Sequence, residues 1–306
     1  MDLHCHVVPP VYRQGAPRAV QEALPAWSDV ALSAHMDRFG IDAAVLSVGP
    51  PGVYFGDGES AAVLARRTNE WLASFVAGRS DRYGALAVLP MPEVGASLSE
   101  LEYALDVLEL DGAVLYSNHE GHYLGDQLFE PVLAELDRRG AYVFVHPAGP
   151  PYPLPLPHHP MWLYEFPFDT TRCIADLIYS GTLDRHQAIR FQFAHLGGAA
   201  LSLAHRLASL ATREPEHASA ASRRVGWYLE RLYFDTGLCN YTDALASAER
   251  LAGPGRIGFG SDWPYADLPA YGSDPAPGLA GLGAKERAVL DADAAAALVP
   301  RLGRSV

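Results

Sequence analysis

The stretch DLHCHVVPP, residues 2–10, opens the chain on a pattern that recurs along it. In an extended strand alternate side chains share a face, so His4 and His6 project together and Cys5 points the other way. Pro9 and Pro10 cannot donate to a strand ladder and mark its end. The reading is a short strand, Asp2 to His6, presenting two imidazoles near its C-terminal tip. Imidazole is the commonest side-chain metal ligand, and two on one face make half a site. A pair of ordinary polar residues near a chain terminus is the plainer alternative, and the rest of the chain decides between them.

Seven further short apolar runs follow: DAAVLSV (42–48), YGALAVLP (83–90), GAVLYS (112–117), AYVFVHP (141–147), RFQFAHLGG (190–198), LYFDTGL (232–238) and RIGFGSD (256–262). Between them lie amphipathic, helix-length stretches such as SAAVLARRTNEWLASFVAG and TTRCIADLIYSG, several ending at the glycine that commonly caps a helix. Strand alternating with helix argues for parallel pairing through βαβ units. Eight such units predict one domain over residues 1–306, an α/β (β/α)8 TIM barrel, with a rim loop insertion around 148–168. Active sites of such barrels sit at the C-terminal ends of the strands. An open doubly wound sheet is the rival, weakened because no GxGxxG or Walker-type loop follows an early strand.

Composition narrows the function. A net charge of −13 disfavours a nucleic-acid partner, which calls for a basic face. No run is long and apolar enough for a membrane span, and nothing resembles a signal peptide. The three cysteines (Cys5, Cys173, Cys239) are scattered and odd in number, matching neither a disulfide framework nor a thiolate metal site. A reduced, cytoplasmic protein is expected, with neither nucleic acid nor membrane as partner.

The ends of the predicted strands carry the chemistry. Strand one ends in His4-Cys5-His6, strand five in Val145-His146-Pro147, strand six in Ala194-His195-Leu196, and strand eight in Gly260-Ser261-Asp262. Any one of these alone reads as a structural polar group. Four histidines and an aspartate falling on one rim read as a metal site with its attendant acid–base groups.

These motifs resemble the amidohydrolase superfamily, and within it the branch of aminocarboxymuconate-semialdehyde, γ-resorcylate and 6-methylsalicylate decarboxylases. The matching elements are D-x-H-x-H at the start, V-H-P in mid-chain, F-D-T-T-R and F-A-H-L-G-G, and G-S-D-W-P, spanning residues 2 to 264. The resemblance implies that His4, His6 and His146 bind one divalent metal, Zn²⁺ or Mn²⁺. Asp262 is a further ligand or the proton-handling carboxylate beside it, and His195 sits over the substrate. Two-metal members of the superfamily often bridge their ions with a carboxylated lysine at the end of strand four. Here that strand ends Leu115-Tyr116-Ser117-Asn118, and the one lysine of the chain is Lys285. One metal is therefore the expected count.

Two reactions use such a constellation. In a non-oxidative decarboxylase the acid protonates the ring carbon that bears the carboxylate of an ortho-hydroxybenzoate-type substrate. In a hydrolase of a lactone, amide or related carbonyl compound, metal-activated water is the nucleophile. The loop after strand five favours the first, because Trp162, Tyr164, Phe166 and Phe168, with Trp263 and Tyr265 on another rim loop, suit a flat ring. Arg172 could face a carboxylate or be ion-paired, and Asn118 is a further candidate for substrate contact. Arg206 follows His195 at a spacing that, in the branch, can reach a neighbouring subunit's active site; an ordinary helix-surface arginine is the equal alternative. A homodimer is expected.

Overall fold

Parallel strands joined by helices require a crossover at every step, and the alternation of the sequence supplies one each time. The computed structural model describes residues 1–151, 158–253, 255–266 and 272–302. Strands one to eight are Asp2–Val7, Ala44–Val48, Tyr83–Val88, Gly112–Tyr116, Tyr142–His146, Arg190–Phe193, Tyr233–Asp235 and Ile257–Gly258, lying in that order in one parallel sheet. The ring closes through the residues that follow strand eight. Leu3 N–H donates to Phe259 O (2.9 Å), Asp262 N–H to His4 O (2.8 Å) and His6 N–H to Trp263 O (2.7 Å). This is the (β/α)8 barrel that the strand count implies.

Every residue of the first five strands is buried. Strands covered by side chains within the barrel and by helices outside it read as continuous apolar runs rather than alternating ones. Two predicted strands are longer than the observed ones. Run 190–198 stops as a strand at Phe193 because His195, Leu196, Gly197 and Gly198 all take positive φ (56°, 51°, 71° and 63°) and turn the chain. Run 256–262 pairs with strand seven only at Ile257 and Gly258, then turns its hydrogen bonds to strand one.

The helices Asp29–Phe39, Gly58–Val76, Glu130–Arg138, Glu165–Tyr179, Thr242–Ala252 and Ala284–Leu298 pack outside. Their ends are set by local chemistry. Ser28 Oγ accepts from Ala31 N–H (3.1 Å) and Asp57 Oδ1 from Ser60 N–H (2.8 Å), satisfying donors a helix start leaves free. Gly40 ends the first of these helices in the left-handed conformation (φ 62°). Gly58–Val76 buries Ala61, Leu64, Ala65, Thr68, Asn69 and Leu72, an i, i+3, i+4 stripe. Each buried leucine stabilises the contact by roughly 1.5–3 kcal/mol. Asn69 stitches this helix to strand three, with Nδ2 donating to Val88 O and Oδ1 accepting from Val88 N–H, both at 2.9 Å. No helix among the described residues is long and apolar enough to cross a membrane. Of the rim insertion expected at 148–168, residues 152–157 lie outside the described ones.

Two histidines outside the cluster are held neutral by the packing. Burial, with Arg38 nearby, pulls His35 from 6.5 to about 4, and burial pulls His119 from 6.5 to about 3. The unfolded chain takes up these protons below pH 6.5, whereas the folded one does so only near 4 and 3. Their contribution to stability is therefore whole above pH 6.5 and is lost as pH falls through about 4 for His35 and about 3 for His119. For His35 the linkage amounts to about 3 kcal/mol. His35→Phe keeps a ring against Trp263 and Phe39. Urea unfolding at pH 7.5 and 4.5 is expected to show a smaller acid loss in that variant. An unchanged difference between the two pH values would remove His35 from the account.

Candidate metal centre and active site

Because His4 and His6 alternate on strand one, both rings enter the barrel mouth. Their Nε2 atoms lie 3.1 Å apart, and each lies 3.2 Å from Asp262 Oδ1. The His146 ring, from the end of strand five, sits with its centroid 5.2 Å from His4 and 4.9 Å from His6. His195 follows strand six, with Nε2 3.3 Å from Asp262 Oδ2. One ligand atom from each of His4, His146, His195 and Asp262 fits within a 4.8 Å spread. The five residues singled out at the strand ends are thus brought together, all buried. Phe144 underlies them, its ring 4.9 Å from that of His4.

The tautomers follow from what the other ring nitrogens touch. His4 Nδ1 faces Asp235 Oδ1 (3.0 Å), His6 Nδ1 faces Ser47 O (3.4 Å), and His146 Nδ1 faces Pro147 O (2.8 Å). Asp235 and the Pro147 carbonyl only accept, so Nδ1 of His4 and His146 carries the proton and Nε2 turns a lone pair inward. His6 Nδ1 also lies 3.3 Å from Ser47 Oγ, a hydroxyl that serves as acceptor when His6 takes the same tautomer. Imidazoles whose second nitrogen is anchored in this way are the usual metal-ligating arrangement. Asp262 Oδ1 is buried and accepts no hydrogen bond. Lone pairs crowded to 3.1–3.2 Å repel unless a cation lies among them. That separation matches neighbouring donors about 2.0–2.2 Å from a shared ion. The residues fit a divalent metal.

Electrostatics agree. Burial opposes charge on His4, but Asp235 and Asp262 outweigh it and raise the imidazole to about 10. Burial also opposes charge on Asp262, yet the charge on His4 and the hydrogen bond with His195 hold its carboxyl well below the usual range. Burial pushes His6 down, and burial with the neighbouring imidazoles pushes His146 far down. The cage favours one positive charge among its ligands, and a bound cation takes the place of the proton.

Several supporting residues escape the strand-end pattern. Asp235, at the end of strand seven, accepts from Gln192 Nε2 (2.9 Å), Gly237 N–H (2.9 Å) and His195 N–H (3.2 Å) besides His4. Tyr142 donates to Gln192 Oε1 (2.7 Å), so a polar chain runs from the barrel interior to His4. Asp2 accepts from His4 N–H and Ser261 N–H, each at 3.0 Å, tying strand one to the Asp262 turn. A Cβ on Gly260 would lie 2.7 Å from His4 Cβ, so only glycine lets that turn approach. Tyr265 sets its ring edge-on to His6 at 5.2 Å. Asp235 had one sequence signal, its place at the end of the run LYFDTGL, and its acceptors all face protein donors rather than the open mouth.

A cleft of about 770 Å³ on the same rim is lined by Tyr54, Tyr116, Asn118, Ala148, Met161 and Phe166 among others. No cluster residue lines it, and Phe166 links the two with its ring 6.2 Å from that of His146. Asn118 is among the lining residues, and its Nδ2 donates to Gly149 O (3.0 Å) and Asp169 Oδ2 (2.8 Å). Asp169 is fully buried and also accepts from Ser117 and Tyr123. Arg172 is half-exposed and lies 3.7 Å from both Glu165 and Asp169, so the chain's own carboxylates face it. Trp162 and Phe168 are 53% and 49% exposed, away from the buried cluster, and Tyr164 is half-buried. Trp263 stacks on His35 at 5.2 Å. Arg206 is exposed on the helix Ala204–Ala208.

Both His195 and Asp262 have left-handed backbone, with φ of 56° and 58°. Strained backbone of this kind costs about 1–3 kcal/mol per residue and gathers at functional sites.

Comparison with known proteins places these observations. Residues 1–301 match the family described as Amidohydrolase. The chain is 32% identical over 276 residues to a 6-methylsalicylic acid decarboxylase from Penicillium expansum, covering 87% of this chain and 85% of that protein. It is 28% identical over 253 residues to a gamma-resorcylate decarboxylase from Rhizobium radiobacter, covering 76% of each. A crystal structure of a dihydroxybenzoic acid decarboxylase from Polaromonas sp. JS666, with bound manganese and the inhibitor 2-nitroresorcinol, superposes with a TM-score of 0.81. The match covers 98% of this chain and 96% of that one at 22% identity, which shows the shared fold.

Proposed function

The chain belongs to the amidohydrolase family, and from that premise we propose that it is a metal-dependent, non-oxidative decarboxylase of a small aromatic acid. The substrate is an ortho-hydroxybenzoate of the 6-methylsalicylate type. The observation that carries this reading is the Asp262–His195 pair. A carboxylate and an imidazole 3.3 Å apart are held in strained backbone at the lip of a three-histidine cluster. The decarboxylase relatives, matched over most of both chains, support it.

His4, His6 and His146 would hold one divalent ion, Zn²⁺ or Mn²⁺, with Asp262 as a further ligand or as the acid beside it. When bound, the ion supplies Lewis acidity and a template for the substrate's carboxylate and ortho-hydroxyl oxygens. His195 Nε2 and Asp262 Oδ2 share a hydrogen bond, so this pair keeps a proton at the mouth of the cluster. Delivery of that proton to the ring carbon bearing the carboxylate breaks aromaticity. Cleavage of the carbon–carboxylate bond releases CO2 and restores the aromatic ring, now carrying the proton in place of the carboxylate. Asn118 and Phe166 line the cleft that takes the ring, and Tyr265 covers His6 from the other side. Trp162, Tyr164, Phe168 and Trp263 close the rim when substrate is present, and Arg172 swings towards the substrate's polar edge.

Arg206, exposed on its helix, reaches the active site of the neighbouring subunit of a homodimer, and the protein works in the cytoplasm. Sedimentation at assay concentration tests the assembly, because a fully active monomer would end the intersubunit role. The reaction is tested by measuring CO2 release from a panel of ortho-hydroxybenzoates, 6-methylsalicylate included. Zn²⁺ and Mn²⁺ are each restored to metal-stripped protein. Turnover with one ion is the expected result. Silence across the panel with metal bound would move the assignment to hydrolysis, with lactones and amides tested next.

A further inference from the structure

A second cavity, about 170 Å³ in volume, opens at the opposite end of the barrel. Arg190 and Tyr233, the first residues of strands six and seven, line it, as does Arg256, which directly precedes strand eight. Trp227 and Tyr228, on the helix Val225–Leu229, form another wall. The catalytic cluster sits at the other ends of these strands, so the two sites are separated by the barrel itself.

The chemistry of this cavity differs from that of the surrounding surface. The chain has 36 acidic against 23 basic residues, and arginines elsewhere meet carboxylates, as Arg139 meets Asp106 and Arg301 meets Asp111. No Asp or Glu is among the residues lining this cavity. The Arg231 guanidinium lies 4.7 Å over the Trp227 ring and the Arg256 guanidinium 4.5 Å over the Tyr233 ring. Among the described residues, neither has a carboxylate partner. A guanidinium resting on an aromatic face keeps its in-plane N–H edge free, and that edge fits a carboxylate in two-pronged fashion. Arg190 adds a fixed charge, because its Nη1 is anchored on Ala297 O (2.7 Å) and Leu298 O (3.0 Å). The volume is that of a single ring, since an engineered cavity of about 150 Å³ holds benzene.

We propose that this cavity binds a small single-ring aromatic carboxylate, its ring against Trp227 and its carboxylate on Arg231 and Arg256. The site is separate from the catalytic centre and does not depend on the reaction assigned to it. Benzoate is the probe, titrated calorimetrically and by equilibrium dialysis into the metal-loaded protein and its Arg231→Gln/Arg256→Gln variant. The variant is expected to bind one benzoate fewer per chain, or to hold it at least tenfold more weakly, with decarboxylation kcat/KM unchanged. Trp227→Leu, a second variant, is expected to weaken benzoate while leaving sulfate binding as it was. Identical benzoate isotherms in the wild type and the double-arginine variant would overturn the proposal. So would displacement of benzoate by equimolar sulfate, which would leave a bare anion site with no use for the ring.

Discussion

Replacing Asp235 with alanine is expected to cost about 3–5 kcal/mol of folding stability and to weaken divalent-metal binding by about 10- to 100-fold. The carboxylate is fully buried and accepts from four donors, namely His4 Nδ1, Gln192 Nε2, Gly237 N–H and His195 N–H. Alanine leaves all four without an acceptor, where water cannot easily replace it. The effect on metal has a different origin. Asp235 keeps the His4 proton on Nδ1, so that Nε2 turns its lone pair towards His6 and Asp262. Without it, the proton can move to Nε2 and close that ligand position. Asp235→Asn separates the two effects, because an amide keeps the shape and one acceptor oxygen but removes the negative charge behind His4. It is expected to recover most of the stability and little of the metal affinity. Urea unfolding of metal-stripped protein measures the first quantity, and competition with a coloured chelator measures the second. Unchanged metal affinity in both variants would show that His4 is oriented by strand one alone.

How legible each part of this molecule was in the sequence depends on the distance over which its cause acts. The barrel could be read because burial on both faces writes a strand as a continuous apolar run, and the run itself contains that signal. The ligands could be read for a similar reason. A histidine where such a run ends lies at the barrel mouth whatever its neighbours are, and this placed His4, His6, His146, His195 and Asp262 together. Asp235 stands at the same kind of position, but its role comes from a contact with a residue 231 positions away. Asp169 is a similar case, since its partners Ser117 and Asn118 sit about fifty positions earlier in the chain. Side-chain direction is harder still. The aromatic-rich stretch expected as a loop up to residue 168 is helical at its end: Met161–Leu163 form a 3-10 turn and a helix starts at Glu165. There Phe168 is half-exposed, like Trp162 before it, whereas Phe166 lies 6.2 Å from the His146 ring. Which ring of such a stretch turns inward is decided by the N-terminal packing of the helix Glu165–Tyr179, and composition carries no record of it. The turn at His195 shows the reverse limit. Its apolar surroundings read as strand to Gly198, but four successive positive φ angles end the strand at Phe193.

Asp262→Asn is expected to lower kcat by about 10²- to 10⁴-fold, the range of a positioned proton donor, with KM nearly unchanged and about one metal ion still bound per chain. Asparagine matches aspartate in size and tolerates left-handed backbone well. The φ of 58° that aims this side chain at the cluster therefore survives the substitution, which makes the amide a cleaner test than alanine. His4, His6 and His146 keep their inward lone pairs, so three metal ligands remain. What is lost is an oxygen able to exchange a proton with His195 Nε2 across 3.3 Å. An interaction that matters only as the proton moves appears in kcat and not in KM. His195→Ala attacks the same pair from its other side. If the two act as a unit, the double variant should be little worse than either single one, since losses within a unit do not add. Losses that multiply would mean that each residue works alone. If Asp262→Asn keeps more than a tenth of kcat with metal in place, the proton comes from elsewhere. If it loses the ion, and activity returns when excess metal is supplied, Asp262 serves as a ligand rather than as the acid.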